Sequence, residues 1–133
     1  MNLPNKTLVL RLSSIGDIVL ASPLLRVMRN AVGKNARIDF VVKKEFSELV
    51  RHNHHLSVTY EYESASGIFG LLALAKELRA EQYELVVDIH DSVRTKILRK
   101  LIGAKNVVVV NKRKKERQAL IRHHKNIYTD NLS

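Results

Sequence analysis

The sequence predicts an α/β protein with a doubly wound parallel sheet, a Rossmann-like fold. Short runs of aliphatic and β-branched residues alternate with longer segments of helical apolar spacing, and glycine or polar residues separate them. Alternation of this kind is typical of parallel sheets with right-handed crossovers. We expect the strand order 3-2-1-4-5, which makes the loops after strands 1 and 4 face each other across one crevice.

The predicted strands are short apolar runs rich in residues that favour β-structure. Leu8, Val9 and Leu10 form a run of the kind found in strands buried on both faces. The last strand consists mainly of four consecutive valines, which are too β-branched to prefer a helix. The five strands are predicted at residues 7–12, 38–42, 58–62, 85–89 and 106–110.

The helices are predicted from apolar spacing and from residues that begin or end helices. The first is expected to break at Ser22 and Pro23, where serine can cap and proline can begin a new helix, and to stop at Gly33. The leucine-rich third helix has apolar residues around most of its circumference, which predicts deep burial. Asp91 is expected to cap the fourth helix, and a further basic helix is expected at residues 112–125. The first four helices are predicted at residues 17–32, 45–52, 68–80 and 92–102.

Length and composition indicate one globular domain. A chain of 133 residues can bury about two thirds of its unfolded surface in a single core. The longest uncharged apolar run, residues 65–75, is about half of a membrane span, and the start lacks the features of a signal peptide. We therefore expect a cytoplasmic chain. The absence of cysteine excludes disulfides and thiolate metal sites.

Positive charge is concentrated in the last third of the sequence. The net charge is +10, and residues 94–125 hold 12 Lys and Arg residues against one acidic residue, Glu116. Such a block attracts polyanions such as phosphorylated lipid, an anionic membrane surface or nucleic acid, although many charge runs are only solvated faces. The residues predicted to bind an anionic surface are Lys112, Arg113, Lys114, Lys115 and Arg117.

The loop after the first strand carries candidate functional residues, because ligands of open α/β sheets bind at the carboxyl ends of strands. Ser13, Ser14 and Gly16 can offer hydroxyl and backbone N–H groups to a sugar or phosphate, or they form only a tight turn. Asp17 is either a helix cap or a carboxylate that contacts a ligand at the edge of the crevice. The loop matches neither the P-loop pattern nor G-x-G-x-x-G, so dinucleotide binding is poorly supported.

The loop after the fourth strand is predicted to bring a second polar set to the same crevice. His90 and Asp91 can orient an acceptor, and Arg94 with Lys96 can bind its acidic or phosphorylated groups. Asp88 is equally consistent with a member of this polar set and with a carboxylate that only accepts hydrogen bonds from neighbouring loop amides.

No metal site is predicted from the histidines. His52, His54 and His55 follow a helix end without a carboxylate pair or a metal-binding spacing, and His123 and His124 show the same pattern. Solvated turns explain both groups. The sequence also lacks a D-x-D motif for a metal–diphosphate complex.

Two stretches of the sequence, in this order, resemble a known family. The first begins at Arg11 and reads R-L-S-S-I-G-D-I-V-L-A-S-P-L-L-R. It consists of the end of a strand, the pattern S-S-x-G-D, and an apolar helix interrupted by proline. The second, residues 83–105, is a strand ending in Asp followed by a basic helix and Gly-Ala. Together they resemble the amino-terminal region of the ADP-heptose:lipopolysaccharide heptosyltransferases, glycosyltransferase family 9. Many members carry Gln-Gly or similar at the position of His90 and Asp91, which leaves the acceptor open.

The resemblance implies the amino-terminal half of an inverting GT-B glycosyltransferase. Such an enzyme moves heptose or a related sugar from an ADP-sugar to a lipopolysaccharide inner-core acceptor, without a metal, so no cofactor is expected. The residue matching Asp17 is proposed in the family as the general base. Residues 1–125 are expected to form the acceptor-side domain and residues 126–133 a frayed tail. The nucleotide-sugar-binding domain has no counterpart here, so the fragment alone is expected to be inactive.

The resemblance also implies partners and a location. The basic block would face the phosphate-rich inner core of lipopolysaccharide and the anionic inner leaflet, which predicts a cytoplasmic protein peripheral at the inner membrane. Apolar surface meant for the missing half would allow a homodimer.

The alternative function is that of a basic nucleic-acid-binding α/β domain, indicated by a pI of about 10.1. Only 5% of residues are aromatic, tryptophan is absent, and no RNP, zinc-finger or helix-turn-helix pattern is present, so nucleic acid is not the expected partner. A second alternative is a stand-alone flavodoxin-like or receiver-like module. A receiver domain is a poor match, because the third strand ends in Tyr62, Glu63 and Ser64 rather than in an acidic cluster.

Overall fold

The part of the protein that the structure describes, residues 4–110 of a computed structural model, is built on one parallel sheet. The sheet order is β3-β2-β1-β4-β5, and β1 pairs with both β2 and β4. The predicted fold class and strand order are therefore confirmed. The strands are β1 Lys6–Leu10, β2 Arg37–Lys43, β3 Val58–Tyr62, β4 Leu85–Asp88 and β5 Asn106–Val109.

Helices connect these strands on both faces of the sheet. A 3₁₀ helix, Lys44–Leu49, lies where the sequence predicts a helix at residues 45–52, and a second short one is Ser64–Ser66. Within the described residues, no helix has the length and apolar character needed to cross a bilayer. The predicted basic helix at 112–125 and the tail at 126–133 lie outside those residues. The α-helices are α1 Ile15–Val32, α2 Gly67–Ala80 and α3 Val93–Ile102.

The core has two layers because successive residues of a strand point to opposite faces of the sheet. Leu8 and Leu10 of β1 are fully buried on the side of α2 and α3, where they meet Leu71 and Leu98. Val9, between them, is buried on the side of α1. The central strand is thus covered on both faces, as its continuous apolar run predicts.

Helix α1 passes through Pro23 without a break, so the predicted interruption is wrong. The helix begins two residues earlier than expected, at Ile15, and ends at Gly33, as predicted. Proline removes the helical hydrogen bond to the carbonyl of Val19, a residue that is 51% exposed. Apolar residues before and after the proline pack on the same sheet face and hold both halves on one axis: Ile18, Ala21 and Leu25.

The deep burial predicted for α2 is also wrong. The face toward the sheet is buried through Leu71, Leu74, Ala75 and Leu78, but Phe69 on the outer side is 82% exposed. The reason is that a helix in a layered α/β fold has only one face against its sheet. Strand β5 is likewise an edge strand of the described sheet, and its side chains are exposed on both faces.

A buried polar network lies at the amino edge of the sheet. Asp39 is fully buried, and its Oδ2 accepts hydrogen bonds from Arg37 Nε at 2.8 Å and from the Tyr83 hydroxyl at 2.5 Å. Burial is the main reason that the pKa of Asp39 is raised, and it also raises the pKa of Tyr83. Glu81 extends the network by pairing with Arg37 and with Lys6. This edge is opposite to the carboxyl ends of the strands, so the network is a structural feature of the sheet.

Candidate functional site

The loops that follow β1 and β4 are joined directly by hydrogen bonds at the carboxyl edge of the sheet. Arg11 Nη1 donates to the Ile89 carbonyl at 2.7 Å, and the Leu12 N–H donates to His90 Nδ1 at 3.3 Å. The Ile89 N–H in turn donates to the Leu10 carbonyl at 3.2 Å. The juxtaposition of these two loops, predicted from the strand order, is therefore present.

Asp17 lies in the first turn of α1 and is not its cap. The N-cap position is Ser14, so the interpretation of Asp17 as a helix cap is wrong. The Ser14 hydroxyl donates to Asp17 Oδ2 at 3.1 Å, and Arg11 Nη2 forms an ion pair with the same oxygen at 2.5 Å. The helix amino terminus favours a negative charge at this position. Because the Asp17 side chain is still 38% exposed, the carboxylate is held in place and remains accessible to a ligand.

Arg11 is the residue that connects the two loops, and the sequence did not identify it. Its side chain is only 12% exposed and spans from Asp17 in one loop to the Ile89 carbonyl in the other. Its Nε is buried without a hydrogen-bond partner among the described residues. A buried cation at this point fixes the position of Asp17 relative to β4.

The hydrogen bond from Leu12 determines the tautomer of His90. Since Nδ1 accepts a hydrogen bond, the neutral ring must carry its proton on Nε2. Partial burial lowers the pKa of His90, the positive charge of Arg11 lowers it further, and the carboxylates of Asp88 and Asp17 oppose this effect. At neutral pH His90 is therefore an uncharged hydrogen-bond donor beside Asp17.

Replacing Arg11 with methionine is expected to raise the pKa of His90, because the repelling charge is removed while most of the side-chain volume is kept. NMR titration of the imidazole C–H signals measures this directly. In the wild type, stability should decline as the pH falls below about 6.5, since the unfolded chain then binds a proton that folded His90 resists. Arg94→Met, which removes an exposed cation from α3, is the matched control and should leave the His90 titration unchanged. Equal shifts in both variants would contradict the assignment.

The loop after β4 is shaped by a buried ion pair. Asp88 is fully buried; its Oδ1 accepts the N–H groups of His90 and Asp91, and its Oδ2 contacts Arg99 Nη1 at 2.7 Å. Asp91 Oδ1 contacts the same guanidinium at 2.9 Å, and Asp91 has a positive φ of 52°. The cap of α3 is Ser92, in a reciprocal pair with Thr95, so the predicted capping role of Asp91 is wrong. Asp88 therefore shapes the turn that presents His90.

A cavity of about 370 Å³ opens beside Asp17. Arg11 and Asp17 form its polar side, and aliphatic residues including Leu20, Leu24 and Ile89 form the rest. Its size suits a small organic ligand with a polar group that faces Arg11 and Asp17. Among residues 4–110, no cluster of three His, Cys, Asp or Glu residues could hold a metal ion.

Glycosyltransferases are among the solved structures that share this fold. A glycosyltransferase of family 9 from Veillonella parvula matches with a TM-score of 0.73 and 24% identity, over 83% of this chain and 34% of that chain. The chain has the fold of a family 9 glycosyltransferase domain. No protein-family model and no curated protein sequence matches it.

Two further matches to this glycosyltransferase fold are heptosyltransferases from E. coli. ADP-heptose lipopolysaccharide heptosyltransferase II matches with a TM-score of 0.67 and 19% identity, over 78% of this chain and 30% of that chain. Heptosyltransferase WaaC with ADP matches with a TM-score of 0.62 and 20% identity, over 77% of this chain and 34% of that chain. The chain thus spans about one third of the length of the structures it matches, in their amino-terminal portion.

The predicted site residues of this glycosyltransferase-like domain fall into four groups. Ser13, Ser14, Gly16 and Asp17 lie in the β1–α1 segment, and His90 is hydrogen-bonded to that segment through Leu12. On α3, Lys96 is exposed and Arg94 lies over the Tyr62 ring, 6.0 Å from its centroid. Asp91 is anchored to Arg99. The cluster predicted to bind an anionic surface lies outside the described residues: Lys112, Arg113, Lys114, Lys115 and Arg117.

Proposed function

We propose that this chain is the acceptor-binding domain of an inverting glycosyltransferase. The observation that carries the proposal is the position of Asp17, an accessible carboxylate held by Arg11 and Ser14 at the crevice between β1 and β4. In open α/β sheets ligands bind at this point. The fold shared with family 9 glycosyltransferases supports the same reading.

In the proposed reaction Asp17 acts as the general base. It accepts the proton of the acceptor hydroxyl while that oxygen forms the new bond to the anomeric carbon and the nucleoside diphosphate leaves with the electrons of the broken bond. Arg11 and Ser14 hold the carboxylate in position, and His90 donates from Nε2 to orient the acceptor. Asp91 is proposed to orient the acceptor together with His90, and Arg94 and Lys96 are proposed to bind its acidic or phosphorylated groups through charge-assisted hydrogen bonds.

The donor would bind mainly to a second domain. The structures with this fold are about three times as long as the matched segment, so a domain outside this chain has room to bind the nucleotide and stabilise the leaving group. One of those structures contains heptosyltransferase WaaC with ADP-2-deoxy-2-fluoro heptose. We propose an ADP-heptose or a related ADP-sugar as the donor and the lipopolysaccharide inner core as the acceptor.

Exposed apolar side chains beside the crevice support the proposal that another surface packs against this domain. Ile15 and Leu20 on the first turns of α1 are 55% and 60% exposed. We propose that the second domain covers these side chains in the complete enzyme, and that a second copy of this chain covers them when that domain is absent. The basic cluster of Lys112, Arg113, Lys114, Lys115 and Arg117 would hold the protein at the cytoplasmic face of an anionic inner membrane.

Acceptor binding to the 133-residue chain tests this function without requiring catalysis. Titration with a deeply truncated lipopolysaccharide acceptor is expected to shift the backbone NMR signals of residues 13–17 and 88–91, while those of α2 stay unchanged. Arg11→Met should weaken binding, because it releases both loops, and Glu77→Gln on the exposed side of α2 should not. Shifts confined to other surfaces would contradict the proposed acceptor site.

A further inference from the structure

A basic groove runs beside the second half of α1, away from the crevice at Asp17. It consists of two cavities of about 580 Å³ each, and His54 and His55 line both of them. The two imidazole rings are 4.0 Å apart between centroids. The first cavity lies between α1 and the segment after the 3₁₀ helix, and the second continues toward the end of α1. Their basic lining residues are Arg26, Arg29, Lys34, His52, His54 and His55.

The groove has several cations and no carboxylate in its lining. Arg26 and Lys34 make no hydrogen bond or ion pair with any residue of the described range 4–110. Glu48 of the 3₁₀ helix contacts His52 Nε2 at 3.4 Å and pairs with Arg51. Neither cavity includes Glu48 in its lining. Of the six basic side chains, Arg26, Arg29 and Lys34 therefore carry positive charges that no ion pair with a described residue compensates.

Arg29 makes the groove a built feature rather than a chance group of surface side chains. Its Nη1 donates to the carbonyls of Gly33 at 2.8 Å and Ala36 at 2.6 Å, and its Nη2 donates to that of His55 at 2.8 Å. These bonds fasten the histidine segment to the end of α1. They satisfy its donors with neutral carbonyls, so its positive charge stays uncompensated by any ion pair with a described residue.

The groove is electrostatically prepared for an anion. Desolvation lowers the pKa of His55, and the positive charges of His54, Arg29 and Arg26 lower it further. Guanidinium, ammonium and imidazole N–H groups together match the oxygens of a phosphate, which accepts charge-assisted hydrogen bonds. The volume of each cavity exceeds that of a phosphate ion and suits a phosphate carried on a larger organic group.

We propose that this groove binds the phosphate group of a phosphorylated sugar or lipid headgroup, at a site separate from the Asp17 crevice. The proposal does not rest on the glycosyltransferase function. Arg26 and Lys34 supply the mobile charges that close on the phosphate, and His54 and His55 supply the N–H groups at the junction of the two cavities. Bound phosphate would raise the pKa of His55, because an anion favours the protonated ring.

NMR titration of the 133-residue chain with pyrophosphate and with a hexose phosphate tests the site. Both are expected to shift the His54 and His55 signals saturably and to raise the pKa of His55. The double variant Arg26→Gln/Lys34→Gln should weaken binding by about tenfold or more, since each lost charge-assisted bond is worth over 1 kcal/mol. The matched control, Lys76→Gln/Lys100→Gln, removes the same charge from exposed positions of α2 and α3 and should bind as the wild type does.

A parallel binding experiment with lipid vesicles distinguishes a lipid headgroup from a soluble phosphosugar as the source of the phosphate. Binding to phosphatidylglycerol vesicles but not to hexose phosphate, lost in the groove variant alone, would assign the site to lipid headgroups; the reverse result would assign it to soluble phosphosugars. Equal weakening in the groove variant and in its control would show general charge attraction and overturn the proposal. Saturation without any change at His54 and His55 would overturn it as well.

Discussion

Replacing Asp17 with asparagine is expected to reduce sugar transfer by about 10²- to 10⁴-fold, the usual contribution of a general base. Asparagine keeps the size and one acceptor oxygen of the side chain but cannot take the proton from the attacking hydroxyl. Transfer should be measured from ADP-heptose to a deeply truncated lipopolysaccharide, in the longer protein that we propose contains this domain. Acceptor affinity should change much less than the rate, because Arg11, Ser14 and His90 remain in place.

The control for Asp17→Asn must separate lost chemistry from lost structure. The Arg11–Asp17 pair is partly exposed, so its removal should cost only about 1 kcal/mol of stability or less. Glu77→Gln removes one exposed carboxylate from α2 and should retain full activity. Ser14→Ala, which deletes one hydrogen bond to Asp17, should lose far less activity than Asp17→Asn. Full transfer by Asp17→Asn would contradict a general-base role and leave the carboxylate as a charge at the start of α1.

The arrangement of the strands followed from the sequence because it depends on a pattern that many residues share. Each strand is an apolar run bounded by turn residues, and the alternation with helices leaves few topologies once crossovers are right-handed. Helix α1 shows where such reasoning fails. A proline breaks an isolated helix, but packing of Ile18 and Leu25 on the sheet outweighs that local preference here.

The candidate site was predictable in its location but not in its hydrogen bonds. Asp17 and His90 follow the two strands at the switch point, so topology alone brings their loops together. Arg11 has its role because its side chain reaches from one loop to the other. The spacing of residues in the sequence does not reveal that direction. The signal available was a single cation immediately after β1, and it is too common to be distinctive. Arg99 was missed for the same reason, since it reaches Asp88 from the far end of α3.

Replacing Asp88 with alanine is expected to lower the free energy of unfolding by about 3–5 kcal/mol, because three hydrogen-bond donors lose one fully buried acceptor, and each lost partner costs about 1–3 kcal/mol. Arg99, whose side chain is 22% exposed, would lose its contact at 2.7 Å. The N–H groups of His90 and Asp91 would lose their common acceptor at the same time. Chemical denaturation with circular dichroism measures the change, and total stabilities of about 5–15 kcal/mol make partial unfolding of this variant a real outcome.

Asp88→Asn keeps the experiment informative if the alanine variant does not fold. Its side-chain oxygen can still accept both loop N–H groups, while Arg99 keeps its second partner, Asp91. We expect a smaller loss than for alanine, and acceptor-induced shifts at residues 88–91 should remain. A loss for Asp88→Ala below about 1 kcal/mol, the size typical of surface pairs, would contradict the buried pair. Equal, large losses in both variants would instead assign the stability to the charge on Asp88. These outcomes bear on function because the turn shaped by Asp88 also holds His90 against Leu12. A variant that loses the Asp88–Arg99 pair should therefore also change the geometry of the crevice.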